Sequence, residues 1–129
     1  MTQEEMKQRT KTFALRIIRL VESLERSGTT YVLGNQLLRS GTSVGANYRA
    51  ACRAKSTADF ISKLAIVEEE ADEVMYWIEL LVASRKIKAE LVADLLDECN
   101  QILSIVVSSI KTSKLRRNPK YAIPNPKSI

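Results

Sequence analysis

The chain has 129 residues, of which 45% are apolar and 5% aromatic, with 20 basic and 15 acidic groups and a net charge of +5. That is enough for one domain with its own core, and so few aromatics and glycines argue against a sandwich or barrel of many tight turns. Histidine is absent, which removes Ser-His-Asp, Cys-His and histidine–metal chemistry, and two cysteines are too few for a disulfide framework.

The N-terminus, MTQEEMKQRTK, is polar and does not read as a secretory leader. No stretch of about 18 uncharged apolar residues occurs, so no membrane span and no membrane partner are expected. A soluble, cytoplasmic protein is the expectation. Three breaks divide the chain, at Ser27-Gly28-Thr29, at Lys55-Ser56-Thr57 and near Ser84–Lys88. The first segment repeats apolar groups at helical spacing through Met6, Phe13, Ile17, Leu20 and Leu24.

The second segment, Tyr31–Ala54, contains Gly34, Gly41 and Gly45. Each costs up to about 1 kcal/mol in a helix relative to alanine. Even so, Leu33, Leu37, Val44, Tyr48 and Ala51 keep one face apolar across the glycines, which predicts an unbroken helix. Gly34, Gly41, Gly45 and Cys52 lie beside that face, where small residues let another backbone approach closely. A polar stripe, Gln36, Ser40, Ser43 and Asn47, runs about a quarter-turn away. Gln, Ser and Asn are poor exposed helix formers, so the stripe suggests hydrogen bonds at an interface; plain exposure is the competing reading. Arg39, Arg49 and Arg53 lie roughly opposite the apolar face. They read either as a phosphate-binding ridge or as ion-pair partners of the third segment.

The third segment steps through Phe60, Leu64, Val67, Ala71, Val74, Ile78 and Leu81, and Ser56 with Asp59 has the spacing of a helix N-cap. Its run Glu68-Glu69-Glu70 and Asp72-Glu73 would suit a di-iron bundle only with histidines, which are missing, so neither a metal nor a cofactor is expected. A solvated or arginine-paired acidic face is the expectation. Glu69 and Glu73 are one turn apart and can reach arginines of the second helix or of a neighbour. Trp77 lies off the seam and packs either in the core or at a second interface. The fourth segment steps through Leu91, Leu95, Cys99, Ile102 and Val106. Cys52 and Cys99 read as buried, inert thiols.

Alternating steps of three and four mark antiparallel helices of about 24–28 residues each. The expected fold is all-α: an antiparallel up-down-up-down four-helix bundle over residues 1–114. Residues 115–129, with Pro119, Pro124 and Pro126, are expected to form an extended or disordered tail. Charge is segregated. Residues 29–55 carry four basic groups and no acid, and residues 56–84 carry one basic group and seven acids. Lys111, Lys114, Arg116, Arg117 and Lys120 form a basic cluster that reads as a nucleic-acid contact or as a solvated terminus. No catalytic signature appears, and an enzyme is not expected.

The stretch Gln36-Leu37-Leu38-Arg39-Ser40-Gly41-Thr42-Ser43-Val44-Gly45-Ala46-Asn47-Tyr48-Arg49 is distinctive. It is followed by Asp59-Phe60-Ile61-Ser62-Lys63-Leu64, then Glu69-Glu70-Ala71-Asp72-Glu73, then Tyr76-Trp77-Ile78-Glu79-Leu80-Leu81. In that order these motifs resemble the bacterial four-helix-bundle proteins first noticed as products of intervening sequences in large-subunit ribosomal RNA genes. That family includes the accessory variability determinant of diversity-generating retroelements. The resemblance covers about residues 10–112. It implies an up-down bundle assembled as a ring-shaped homopentamer. For members like the retroelement accessory protein it implies partners in nucleic acid, RNA or DNA, and in a reverse transcriptase. Relatives usually follow Asn-Tyr-Arg with Glu, whereas Ala50 stands here. The expected function is a non-enzymatic homo-oligomeric module that binds nucleic acid or a nucleic-acid enzyme through Arg39, Arg49, Arg53, Lys111, Lys114, Arg116 and Arg117. In it Gln36, Ser40, Ser43, Asn47, Glu69 and Glu73 hold helices or subunits in register. The alternative is a protein-binding scaffold with no nucleic-acid role.

Overall fold

The structure, a computed structural model, describes residues 1–117. Four helices follow one another: α1 (Gln3–Glu22), α2 (Gly28–Cys52), α3 (Thr57–Ala83) and α4 (Ala89–Arg117). They form a four-helix bundle in which each helix packs on its chain neighbours, α1 closes against α4, and no backbones meet across either diagonal. Contacts running in opposite chain directions show the neighbours of α1 to be antiparallel. Gly34 faces Leu24, Gly41 faces Ile17 and Gly45 faces Thr10, while Arg9 reaches Glu98 and Arg16 reaches Asp94.

The helix starts are set by local chemistry. Thr2 and Glu5 form a reciprocal capping box on α1. On α3 the Asp59 amide donates to Ser56 Oγ at 3.0 Å, as the sequence predicts. The carboxylate of Asp59 in turn accepts from the Lys55 amide rather than from Ser56. Gly28 opens α2 at φ +58, a left-handed conformation that favours glycine. At the end of α3, Lys86 donates its amide to Leu81 O and Arg85 donates to Val82 O, the paired bonds of a Schellman motif. Arg85 supplies its left-handed residue at φ 63, where glycine is the usual choice.

The second segment is one continuous helix of 25 residues. Its glycines explain why: the lost propensity is offset by close packing. A Cβ built on Gly41 would lie 2.7 Å from Ile17 Cγ2 and 3.0 Å from Ile17 Cβ, and Ile17 is fully buried. Only a residue without a side chain allows α1 and α2 to meet this closely.

The core follows the expected stripes with shifts at their ends. Ile61 is buried in place of the half-buried Phe60, and Val92 in place of Leu91, which is 75% exposed. Leu20 and Leu33 are half-buried at the margin, and Thr10 fills the gap between Met6 and Phe13. Cys99 is buried and donates its thiol to Ala71 O at 3.2 Å. Burial pushes that thiol's pKa up to about 12, so it stays protonated. Cys52 is only half-buried. Two expectations on length need correction. The 20-residue α1 is shorter than expected, because its chain leaves the helix at Ser23. The fourth helix runs to Arg117 rather than ending near residue 114. A proline lacks its own N–H and restricts only the residue before it, so Pro119 in the sequence does not bar Leu115, Arg116 and Arg117 from the helix. Residues 118–129, most of the expected tail, lie outside the described residues.

Candidate nucleic-acid interface

An up-down bundle gathers the start of α1, the end of α2, the start of α3 and the end of α4 at one end. There the sequence places Lys7, Lys11, Arg49, Arg53, Lys55, Lys63, Lys111, Lys114, Arg116 and Arg117. Besides Glu98, which Arg9 takes up between Lys7 and Lys11, three carboxylates accompany them: Glu4, Glu5 and Asp59. Two of the three are tied to helix starts, Glu5 through Thr2 and Asp59 through the Lys55 amide. Hydrogen bonds from Thr2 hold the Glu5 carboxyl below its ordinary pKa. Higher in the bundle the sign reverses. Between Glu68 and Glu98, α3 and α4 carry ten carboxylates, against the three basic groups Arg85, Lys86 and Lys88 of their connection.

Six of the seven arginines and lysines that the sequence singles out reach this end. Arg49, Arg53, Lys111, Lys114, Arg116 and Arg117 are all exposed. Arg39 is not among them. It stands midway along α2 and turns to α3, where its guanidinium donates to Glu70 at 2.8 Å and to Glu73. Glu70 is nearly buried, so Arg39 neutralises a carboxylate that would otherwise be stranded. Glu70 also replaces Glu69 in the expected pairing. One position along a helix is a rotation of 100°, which turns Glu69 out to solvent. Missing from the expected set are Lys7, Lys11, Lys55 and Lys63. The signal that finds them is topological: the first helix begins where the second and fourth end.

The polar stripe bonds within its own helix. Ser40 Oγ donates to Gln36 O at 3.0 Å, Asn47 Nδ2 donates to Ser43 O at 2.9 Å, and Gln36 Oε1 accepts from Arg39 Nε. Among the described residues none of these side chains bridges two helices through a direct hydrogen bond to the partner helix. Ser40 is fully buried and acts as a small packing residue. Beside this stripe, on the α2/α3 seam, Val32, Ile66 and Tyr76 are exposed apolar groups. Trp77 is half-buried there. Its Nε1 is buried and has no partner among the described residues, and its ring meets Tyr76 edge-on at 5.3 Å between centroids.

Other chemistry is sparse. Burial raises the pKa of the Tyr48 hydroxyl well above its ordinary value, with the Cys52 thiol beside it as the lesser cause. Among the described residues no group of three His, Cys, Asp or Glu side chains is placed to hold a metal ion, and no helix is long and apolar enough to cross a membrane.

The motif order along α2 and α3 and the four-helix topology agree with a family model for the 23S rRNA-intervening sequence protein, which matches residues 2–108. The chain belongs to that family. A crystal structure of a protein of unknown function from the S23 ribosomal protein family of Bacteroides thetaiotaomicron VPI-5482 is similar at 40% identity. The alignment covers 86% of this chain and 99% of that one, with a TM-score of 0.80. No curated protein matches the chain. The family match ends before Lys111, so the basic last turns of α4 lie beyond it, whereas Lys7, Lys11, Arg49 and Arg53 lie within it.

Proposed function

We propose that this chain is a non-enzymatic, homo-oligomeric module of the bacterial cytoplasm that binds nucleic acid, or an enzyme acting on nucleic acid such as a reverse transcriptase, through its basic end. The observation that carries the reading is the concentration of exposed cations where α1 begins and α2 and α4 end. Phosphate contacts from such a surface give affinity that is blind to sequence and steeply dependent on salt. Assembly, with a pentamer as the expected state, draws support from the exposed Val32, Ile66 and Tyr76 and the unpartnered Trp77 Nε1 on the α2/α3 seam. Assembly multiplies weak sites on one rigid body.

That same seam favours a second reading, a scaffold for a protein partner with no nucleic-acid role. Binding to mixed RNA and DNA between about 50 and 200 mM salt separates the two. The first reading expects affinity to fall steeply with salt and to drop when Arg116→Ala and Arg117→Ala are combined. Absence of binding even at the lowest salt leaves the scaffold. Light scattering gives the mass in solution, and a monomer at micromolar concentration would remove the assembly part of the proposal.

A further inference from the structure

The glycine-built contact of α1 with α2 has a consequence on its outer side. Where the two helices draw together near Gly45, the surface between them sinks into an open furrow of about 510 Å³. Apart from its charged groups and Gln8, its lining is made of small residues, Thr10, Ala14, Thr42, Gly45 and Ala46. Lys7 and Lys11 stand on the α1 bank and Arg49 on the α2 bank. Lys7 and Lys11 are one helical turn apart, about 6 Å. Lys11 and Arg49 are exposed and have no carboxylate partner among the described residues. Lys7 has only a loose pairing with Glu4, at 3.8 Å on the surface. Further along the same seam the lining carries Glu22 and Glu25 against Arg26 alone, so the Lys7–Arg49 half is the one that favours an anion.

We propose that this half-furrow is a binding site for the sugar-phosphate backbone of a single nucleic-acid strand, held by Lys7, Lys11 and Arg49. The inference rests on the nucleic-acid reading and adds to it a place and a mode. Cations on two facing banks, with small residues in the lining, let a strand of phosphates lie between them. Helices packed about 8–10 Å apart leave a channel too narrow for a duplex to enter. No aromatic side chain lines the furrow, so no base stacks there, and the site takes RNA and DNA of any base composition alike. Glu4, on the same bank, opposes the ligand.

Fluorescence anisotropy with single-stranded RNA and DNA homopolymers and with a duplex of equal length, titrated with salt, tests this on the full chain. Combining Lys7→Ala, Lys11→Ala and Arg49→Ala is expected to weaken single-strand binding and to make the plot of log K against log salt shallower by about 2. Glu4→Gln is expected to tighten binding about two- to fivefold, a gain that misfolding cannot imitate. Circular dichroism confirms that each variant keeps its helices. If the triple variant binds with unchanged affinity and slope while Arg116→Ala with Arg117→Ala weakens binding, the furrow is overturned and the wider reading stands. If the wild-type chain binds no nucleic acid, both fall. A triple variant that loses duplex binding as fully as single-strand binding overturns the single-strand mode.

Discussion

Helix α1 has two neighbours and is held to them by opposite means. Against α2 it is held by the absence of side chains: Gly34, Gly41 and Gly45 admit Leu24, Ile17 and Thr10. Against α4 it is held by long charged arms. Arg9 grips Glu98 with two bonds of 2.7 Å and reaches Gln101 Oε1 at the same distance, and Arg16 meets Asp94 at 2.6 Å. Gln101 is in turn steadied by Asp97. The first seam depends on volume and is indifferent to pH and salt. The second depends on ionisation and tolerates small changes of shape.

The comparison is broken or sharpened by substitution. Gly41→Ala has the largest expected effect. Helix propensity alone would stabilise α2 by up to about 1 kcal/mol, but the new methyl has to displace a fully buried Ile17. Overpacking of that kind costs roughly 1–3 kcal/mol, seen as a lower urea midpoint that does not change with salt. A rise in stability would show that the seam is not tight. Next comes Arg9→Ala. Both partners are about four-fifths buried, so losing the fork costs about 1–2 kcal/mol in denaturant titrations at neutral pH.

Acid sharpens the contrast. Hydrogen bonding to Arg9 holds the Glu98 carboxyl below its ordinary pKa, 4.5. The stability it contributes is therefore complete above about pH 4.5 and is lost as pH falls below that. The Tm difference between wild type and Glu98→Gln is expected to be present at pH 7 and to shrink toward pH 3, while that of Gly41→Ala persists. Arg16→Ala follows at under about 0.5 kcal/mol, because Asp94 is 87% exposed and water competes for the pair. Gly45→Ala is smaller still. Its Cβ would meet Thr10 Oγ1 at 3.3 Å, a contact that a slight shift relieves, so the change offsets the propensity gain and should lie within roughly 0.5 kcal/mol of neutral.

Much of this frame is legible in the residues themselves. Ser56 with Asp59 announces the start of α3, Ser27-Gly28-Thr29 marks the break before α2, which begins three residues ahead of the expected Tyr31, and Leu37, Val44, Tyr48 and Ala51 carry α2 through its glycines. What periodicity leaves open is the choice between adjacent apolar residues. A step of four from Leu91 to Leu95 is as regular as a step of three from Val92, and only the neighbouring helix decides for Val92. The three consecutive glutamates are chemically identical. The rotation of α3 against α2 selects Glu70 for Arg39, and the sequence does not state that rotation. The basic end was half visible for a similar reason. Arg49, Arg53 and the cations of the last turns stand out as clusters, whereas Lys7 and Lys11 join them only once α1 and α4 are known to run in opposite directions.

The segregation of sign along the helices gives the molecule a permanent electric moment parallel to its long dimension. Copies arranged side by side around an axis in that direction stack their positive rims together, and added salt relieves the repulsion. Copies laid side by side in opposite directions and offset by about half their length set the positive rim of one beside the negative waist of the other, and added salt weakens them. Ionic strength therefore acts on the geometry of self-association as well as on the capture of a polyanion.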